Sequence, residues 1–101
     1  MGKLIDTEVT SFAPDAREAH HSITLGAGVY VPYIPPGATK IMLQALAKAA
    51  RYTLDGTTPA TAVGFQLAAA ATPITIPISS TTKLQIIREE NGTILEYCIG
   101  K

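Results

Sequence analysis

The sequence predicts an all-β fold: an antiparallel β-sandwich or jelly-roll-like domain of seven or eight short strands. Runs rich in Ile, Val, Thr and Tyr recur along the chain, and Gly, Pro, Asn and Asp separate them. Apolar and polar residues alternate inside several runs, as expected for strands with one buried face. The runs show no βαβ rhythm, and no internal repeat is visible. We therefore expect a single folded domain within these 101 residues.

Residues 1–22 are polar and irregular, and we interpret them as an N-terminal arm that precedes a β-sandwich domain at residues 23–101. Arms of this kind often become ordered only when a partner covers them. The alternative is a frayed terminus without a role. The apolar side chains of the arm that could dock on a partner are Leu4, Ile5, Val9 and Phe12.

The first strands of the domain are predicted at residues 23–25 and 29–31, with a Gly-Ala-Gly turn or bulge between them. Residues 32–37 contain three prolines, and each proline lacks a backbone donor, so this stretch should be extended and turning. We expect it to cross between the two sheets of the sandwich.

Residues 40–51 are ambiguous. Ile41, Ala45 and Ala49 lie at helical spacing, and the composition favours a helix. The alternation of Ile41, Leu43 and Ala45 instead favours a strand. The segment lacks a strong helix cap and continues directly into the β-favouring Tyr52-Thr53-Leu54. We favour two strands joined by a short Ala/Lys turn, and a helix is the alternative.

Turn-forming residues divide the next part of the chain. Asp55-Gly56 should end a strand in a tight turn. Residues 65–67 predict a short strand, and residues 68–71 could form either one helical turn or a linker. The alternating run at residues 73–78 contains prolines that indicate an edge strand.

The strongest turn signal is Asn91-Gly92, which lies between β-rich runs at residues 83–88 and 93–99 and predicts a β-hairpin. Alternation in the second run should leave Glu96 facing solvent, on the side opposite to its two neighbours. The predicted core of the sandwich comprises Ile23, Leu25, Val31, Ile41, Leu43, Tyr52, Leu54, Phe65, Leu67, Ile74, Ile76, Leu84, Ile86, Ile94 and Tyr97.

Charge and hydropathy argue against several classes of function. Eight basic and eight acidic residues cancel, and without a basic stripe we expect no nucleic-acid partner. We find no signal peptide and no apolar run near the roughly 20 residues of a membrane span, so we expect a soluble chain made in a cytoplasm, with no membrane partner. Only 16% of the residues are charged and 47% are hydrophobic, which favours a surface covered by a partner or by further copies. A compact core under a Thr- and Ala-rich surface is the alternative.

No pattern of residues indicates catalysis or ligand binding, and we expect no catalytic site, no cofactor and no metal. The single cysteine, Cys98, lies far in sequence from any histidine that could act as its base. His20 and His21 are adjacent, so in an extended chain they point to opposite sides and are poor ligands for one metal ion. We see no converging carboxylate pair, no Gly-x-Ser-x-Gly elbow and no phosphate-binding glycine loop. The sequence therefore predicts a protein that is not an enzyme.

Four stretches of the chain carry a resemblance to a known group of proteins: Gly37-Ala38-Thr39-Lys40 with Ile41-Met42-Leu43-Gln44-Ala45, then Arg51-Tyr52-Thr53-Leu54-Asp55-Gly56-Thr57-Thr58-Pro59, then Val63-Gly64-Phe65-Gln66-Leu67, and finally residues 83–100. Through these stretches, residues 38–101 resemble a group of small bacteriophage virion proteins. The Tyr-Thr-Leu-Asp-Gly-Thr-Thr-Pro string also resembles a turn in Ig-like domains attached to chitobiases and related hydrolases. The N-terminal third is not covered by the resemblance.

The resemblance implies a non-enzymatic structural role in the virion. Such a chain would be a capsid decoration (cementing) protein or a minor virion protein that binds the major capsid protein, or another virion protein, and stabilises the shell. It would also be a homo-oligomer, for which we favour a homotrimer. In this hypothesis the capsid contacts are Leu4, Ile5, Val9 and Phe12. The residues near a subunit interface are Tyr30, Tyr33 and Ile34.

A carbohydrate- or ligand-binding Ig-like β-sandwich module is the alternative function. Flat sugar-binding faces usually present exposed aromatic rings. The chain has no Trp, four Tyr and two Phe, and several of these rings are needed in the core. Tyr30 and Tyr33 are the pair that would serve this purpose.

Overall fold

The computed structural model describes residues 20–60 and 62–100. The capsid contacts predicted on the arm, Leu4, Ile5, Val9 and Phe12, therefore lie outside the described residues. The strands are β1 (His21–Thr24), β2 (Lys40–Leu46), β3 (Ala50–Thr53), β4 (Phe65–Leu67), β5 (Ile74–Pro77), β6 (Gln85–Arg88) and β7 (Ile94–Gly100).

The seven strands form two antiparallel sheets and so confirm the predicted all-β sandwich. The four-stranded sheet has the order β1-β7-β2-β5, and the three-stranded sheet has the order β4-β3-β6. No helix occurs in the described residues. β1 begins at His21, so the last two residues that the sequence assigned to the arm belong to the sandwich.

The core lies between the sheets and is built by alternation. On β2 and β7 the inward side chains meet as cross-strand neighbours, for example Ile41 with Ile99 and Ala45 with Leu95. The three-stranded sheet faces them with residues that include Ile86, which is 0% exposed. Burying a side chain such as Leu or Ile stabilises the fold by roughly 1.5–3 kcal/mol, so this double layer is the main source of stability.

Residues 40–51 form two strands, as favoured by the sequence, and the helix alternative is wrong. The chain reverses at Ala47, whose φ is 67°, and the backbone N–H of Lys48 donates to the carbonyl of Leu46 at 2.7 Å. β2 belongs to the four-stranded sheet and β3 to the three-stranded sheet. The turn therefore carries the chain from one sheet to the other.

The hairpin predicted at Asn91-Gly92 is wrong. β6 pairs with β3 in one sheet and β7 pairs with β1 and β2 in the other, so the turn connects the two sheets instead of two neighbouring strands. Gly92 does adopt the positive φ, 105°, that a tight reversal requires. Alternation cannot distinguish the two arrangements, because both strands bury one face in either case.

The two inter-sheet turns lie against each other at one end of the sandwich. The N–H of Glu89 donates to the carbonyl of Ala49 at 3.0 Å, and the hydroxyl of Thr93 donates to the same carbonyl at 2.9 Å. Thr93 is 0% exposed, so its hydroxyl is a buried polar group whose hydrogen bond is needed. Lys48 and Glu90 add an exposed ion pair at 3.9 Å.

The strand predicted at residues 29–31 is wrong, because only Tyr30 forms an isolated bridge there, and the predictions for the later strands are confirmed. β5, with its flanking prolines, lies at the edge of the four-stranded sheet. β4 is the predicted short strand, and the residues after it form a linker in which Ala70 has a φ of 58°. Tyr30 pairs with Ile86 of the three-stranded sheet, and β2 lies in the other sheet, so residues 32–37 cross between the sheets as predicted.

The assignment of three residues to the core is wrong. Val31 is 61% exposed and Phe65 is 64% exposed. Val31 lies outside because its neighbour Tyr30 takes the inward position, and Phe65 lies on β4, the last strand of its sheet. Ile94 is only partly buried, since buried Leu95 turns it to the opposite side of β7. The buried side chains that the sequence missed include Ala38, Ala45, Ala50, Thr53, Ile78, Thr93, Leu95 and Ile99.

Substitutions at two adjacent residues of β2 test which face of the strand packs in the core. Ile41→Ala removes a fully buried side chain and should lower the free energy of unfolding by about 2–5 kcal/mol. Met42→Ala, on the opposite face of the same strand, should cause a much smaller loss. Urea unfolding of both variants measures the difference. Equal losses would contradict the assignment of the core face.

Candidate functional site

Five large apolar side chains are exposed in the described residues, and they fall in two groups. The valine–tyrosine surface consists of Val29 at 41%, Val31 at 61% and Tyr33 at 69% exposure. The phenylalanine surface consists of Val63 at 42% and Phe65 at 64% exposure. Contiguous exposed apolar side chains on a small domain often mark interaction sites. We therefore take these two surfaces as the candidate functional site.

The valine–tyrosine surface is created by the inward position of Tyr30. Its N–H donates to the carbonyl of Ile86 at 2.7 Å, and its own carbonyl accepts from the N–H of Ile86 at 2.9 Å. Its phenol lies 2.7 Å from the hydroxyl of Tyr97. Successive residues of an extended segment point to opposite sides, so Val29 and Val31 point away from the core.

A proline loop continues this surface. Pro32 is buried and Ile34 packs against the core, which leaves Tyr33 between them directed to solvent. A groove of about 290 Å³ follows the loop and is lined by Val31, Pro32, Ile34, Thr82, Lys83, Leu84 and Gln85. A second groove of about 260 Å³ shares Ile34 and Thr82 with it.

The three residues that the sequence placed near a subunit interface thus have different positions. Tyr33 is exposed on the valine–tyrosine surface. Tyr30 is half-buried, with its ring tilted against that of Tyr97 at 6.1 Å, and Ile34 is half-buried against the core. The sequence did not identify Val29 and Val31 as surface residues. The signal for them was the Val-Tyr-Val alternation, since either the tyrosine or both valines must face outward.

The phenylalanine surface lies at β4, which is the edge of the three-stranded sheet opposite to the edge where Tyr30 pairs with β6. Gly64, with a φ of 116°, brings the chain so close to β3 that a Cβ there would lie 2.8 Å from the carbonyl oxygen of Tyr52. The next residue, Phe65, places its ring 5.6 Å from the ring of Tyr52. An open cavity of about 450 Å³ is lined by Thr53, Leu54, Asp55, Thr57, Val63, Gly64 and Phe65.

Asp55 is the single carboxylate among the lining residues of that cavity, and it serves the turn. It accepts from the backbone N–H of Thr57 at 3.0 Å. Hydrogen bonds from the side chain and backbone of Thr57 hold the pKa of Asp55 below its usual value, so the group is ionised at neutral pH. The hydroxyl of Thr53 donates to the carbonyl of Thr57 and fixes the other side of the turn.

A polar network ties the strands of the three-stranded sheet together on its outer face. Arg51 on β3 donates from Nη1 to the carbonyl of Gly64 at 3.0 Å. Its Nε lies 2.8 Å from a carboxylate oxygen of Glu89, an ion pair whose angle is poor for a hydrogen bond. Gln66 on β4 donates to the same carboxylate at 3.0 Å. The network is structural, because its members are occupied with one another.

The outer face of the four-stranded sheet carries a second polar cluster around Glu96. His20 Nε2 lies 2.6 Å from one carboxylate oxygen, and the Ser22 hydroxyl donates to the other. The serine thus binds the carboxylate and not the imidazole, so the cluster lacks the serine–histidine contact of an activated nucleophile. The hydrogen bond from Ser22 is the largest cause, and that from His20 the next, that lowers the pKa of Glu96 below its usual value.

The adjacent histidines point to opposite sides of β1, as predicted. His21 stacks on Tyr97, with the ring centroids 4.6 Å apart and the planes 11° from parallel. Cys98 is half-buried, and burial raises its pKa, so it is a thiol at neutral pH. Within residues 20–60 and 62–100, no three His, Cys, Asp or Glu side chains are grouped so that they could hold a metal ion. The described residues contain no helix that is long and apolar enough to cross a membrane.

Comparison with known proteins finds no matching protein family, no matching curated protein and no matching solved structure.

The phenol pair in the core gives a test of how the valine–tyrosine surface is held. Tyr30→Phe removes the hydrogen bond to Tyr97 and should lower the free energy of unfolding by about 0.5–1.5 kcal/mol. Tyr33→Phe removes an exposed hydroxyl and should change it by less than about 0.5 kcal/mol. Thermal or urea unfolding separates the two variants. A larger effect at Tyr33 would mean that the inward and outward tyrosines are reversed.

The Glu96 cluster gives a test by titration. Because the folded-state pKa is lowered, the ionised carboxylate stabilises the fold above its unfolded pKa, and this contribution is lost as the pH falls through the folded pKa. Ser22→Ala removes the largest cause and should raise the pKa of Glu96 towards the ordinary value of about 4.3. Thr24→Ala, two residues further along the exposed face of β1, should leave it unchanged. Carboxyl NMR titration measures both, and an unshifted pKa in Ser22→Ala would contradict the assigned contact.

Proposed function

We propose that this chain is a non-enzymatic structural protein of a bacteriophage virion, a capsid decoration or minor virion protein that binds and stabilises the shell. The observation that carries the proposal is the valine–tyrosine surface, where Val29, Val31 and Tyr33 are exposed on a firmly packed sandwich. A surface of this kind suits protein contacts, in which aromatic and apolar side chains supply most of the binding energy.

The positions of the motif residues support a structural role. Arg51 joins β3 to Glu89 and to Gly64, and Asp55 fixes its turn through Thr57. Gly56 has a φ of 88°, a conformation that favours glycine. The motif that resembles phage virion proteins thus builds a turn and the rim of the phenylalanine surface. None of its described contacts requires a substrate.

In this proposal the N-terminal arm anchors the protein on the capsid and the sandwich meets its own copies. Leu4, Ile5, Val9 and Phe12 contact the major capsid protein, and the protein is located in the virion. A homotrimer places the valine–tyrosine surface, with Tyr33, at a subunit interface. Binding to the assembled shell stabilises it by mass action, because the chain favours the lattice over free subunits.

Carbohydrate binding is the second candidate, and the exposed rings of Tyr33 and Phe65 are the observation that favours it. The pair considered from sequence, Tyr30 and Tyr33, does not form a joint platform, since the ring of Tyr30 is half-buried against Tyr97. Tyrosine fluorescence during titration with polysaccharides tests this candidate. A saturable change that Tyr33→Ala abolishes would favour it over the structural role.

Shell binding tests the proposed function directly. Virions assembled from a genome that lacks this reading frame are mixed with the purified chain, and bound protein is measured by sedimentation. We expect saturable binding and a higher temperature of genome release. A chain without residues 1–19 keeps every described strand and should lose binding.

Matched substitutions in the arm refine the test. Leu4→Ser combined with Phe12→Ser should weaken shell binding by tenfold or more, which corresponds to about 1.4 kcal/mol. Thr7→Ala, in the same arm, should bind as the unaltered chain does. If the unaltered chain fails to bind shells, the decoration role is wrong; if the double variant binds normally, the arm is not the anchor.

A further inference from the structure

We propose that copies of this chain associate head to tail, with the valine–tyrosine surface of one copy against the phenylalanine surface of the next, and that this contact closes into a ring. This contact specifies how the homo-oligomer of the proposed function assembles, and its biological role rests on that proposed function. The inference is based on the positions of the two surfaces, which lie at opposite edges of the same three-stranded sheet.

The two surfaces occupy opposite edges of the three-stranded sheet. Its strand order is β4-β3-β6, and Tyr30 pairs with Ile86 on the free side of β6. The sheet therefore runs from Phe65 at one edge to the segment of Val29 and Val31 at the other. All five exposed large apolar side chains in the described residues belong to these two edges and the loops next to them.

Backbone groups at the valine edge are available for pairing. Tyr30 directs both its N–H and its carbonyl to Ile86. In an extended segment the backbone groups of the neighbouring residues then point the other way, so those of Val29 and Val31 point away from β6. In the described part of the chain no strand pairs on that side. Exposed edges of this kind accept an additional strand from another molecule.

At one edge of the four-stranded sheet, by contrast, β5 is protected against pairing with a further strand. β5 ends in Pro77 and follows Pro73, and prolines block the addition of a further strand. β4 holds only Phe65, Gln66 and Leu67, and the valine edge holds Val29, Tyr30 and Val31. Neither of these segments contains a proline, a lysine or another charged residue. Within these two segments no proline or charge blocks an added strand, and the nearest proline, Pro32, follows Val31 and is buried.

A head-to-tail contact explains why there are two surfaces. A two-fold dimer built on one of these surfaces alone would leave the other surface exposed on both copies. When the valine–tyrosine surface of one copy meets the phenylalanine surface of the next, every copy covers both, and a closed ring leaves none at its ends. A ring of three copies agrees with the homotrimer in the proposed function.

The apolar area suits the centre of such an interface. An aromatic side chain buries roughly 150–250 Å² when it is fully covered. Tyr33 and Phe65 are 69% and 64% exposed, so most of that area is still available on each. A stable interface buries roughly 1,200–2,000 Å² in total, of which the aromatic anchors are the centre and polar residues the rim. The groove next to Val31, about 290 Å³ in volume, offers a place for an incoming side chain.

Two single substitutions separate head-to-tail association from a two-fold dimer that uses one surface alone, and the mass of the unaltered chain gives the number of copies in the ring. Val31→Lys blocks one edge and leaves the other intact, and Phe65→Lys does the reverse. Thr75→Lys adds the same charge at an exposed position on β5 and is the control. Circular dichroism and thermal unfolding establish that each variant is folded. Light scattering coupled to size-exclusion chromatography then gives the mass of the unaltered chain, of each variant and of mixtures.

We expect a finite oligomer for the unaltered chain and for Thr75→Lys, and monomers for Val31→Lys and Phe65→Lys when each is alone. An equimolar mixture of the two edge variants should form a 1:1 heterodimer, because one intact valine edge meets one intact phenylalanine edge. A monomeric unaltered chain, open filaments, or a mixture that stays monomeric would overturn the ring. The experiment needs no shell, so its failure would leave shell binding to be decided by sedimentation with virions.

Discussion

The carbonyl of Ala49 is the point on which this fold depends, because two inter-sheet turns meet there. It accepts from the N–H of Glu89 and from the hydroxyl of Thr93, so one oxygen joins the turn after β2 to the turn after β6. With the turns held together, β2 lies beside β7 and β3 lies beside β6, which sets the register of both sheets at once. Thr93 is completely buried, so replacing its hydroxyl would remove one of the two hydrogen bonds that this carbonyl accepts and weaken the link between the turns.

This construction puts stability in the centre of the sandwich and leaves its periphery for contacts. The central pairs are fully buried, whereas Val31, Tyr33 and Phe65 are mainly exposed. The polar networks around Arg51 and Glu96 hold strands in place. A rigid body with apolar edges and few charges is what the proposed virion role requires, since such a protein acts through the surfaces that it covers.

The sequence predicted the existence and type of the strands better than their pairing. Alternation and prolines placed β2, β3, β4 and β5 correctly, because those signals are local. The turn at Asn91-Gly92 was misassigned since a hairpin and an inter-sheet turn bury the same residues of both strands. For the candidate site, Tyr33 was identified, but Val31 and Phe65 were assigned to the core. Their exposure depends on which partner lies across the sandwich, and residue type carries no information about that.

The pairing of β2 with β7 also constrains how the chain acquires its structure during synthesis. Each of these central strands is half of a pair whose partner lies more than forty residues away, as in Leu43 with Tyr97. Neither sheet can be completed until β6 and β7 have left the ribosome, so the edges of the earlier strands remain unpaired until then. Distant pairing of this kind slows folding and exposes strands to one another while they wait. Prolines beside β5 would then limit aggregation of the nascent chain as well as of the finished protein.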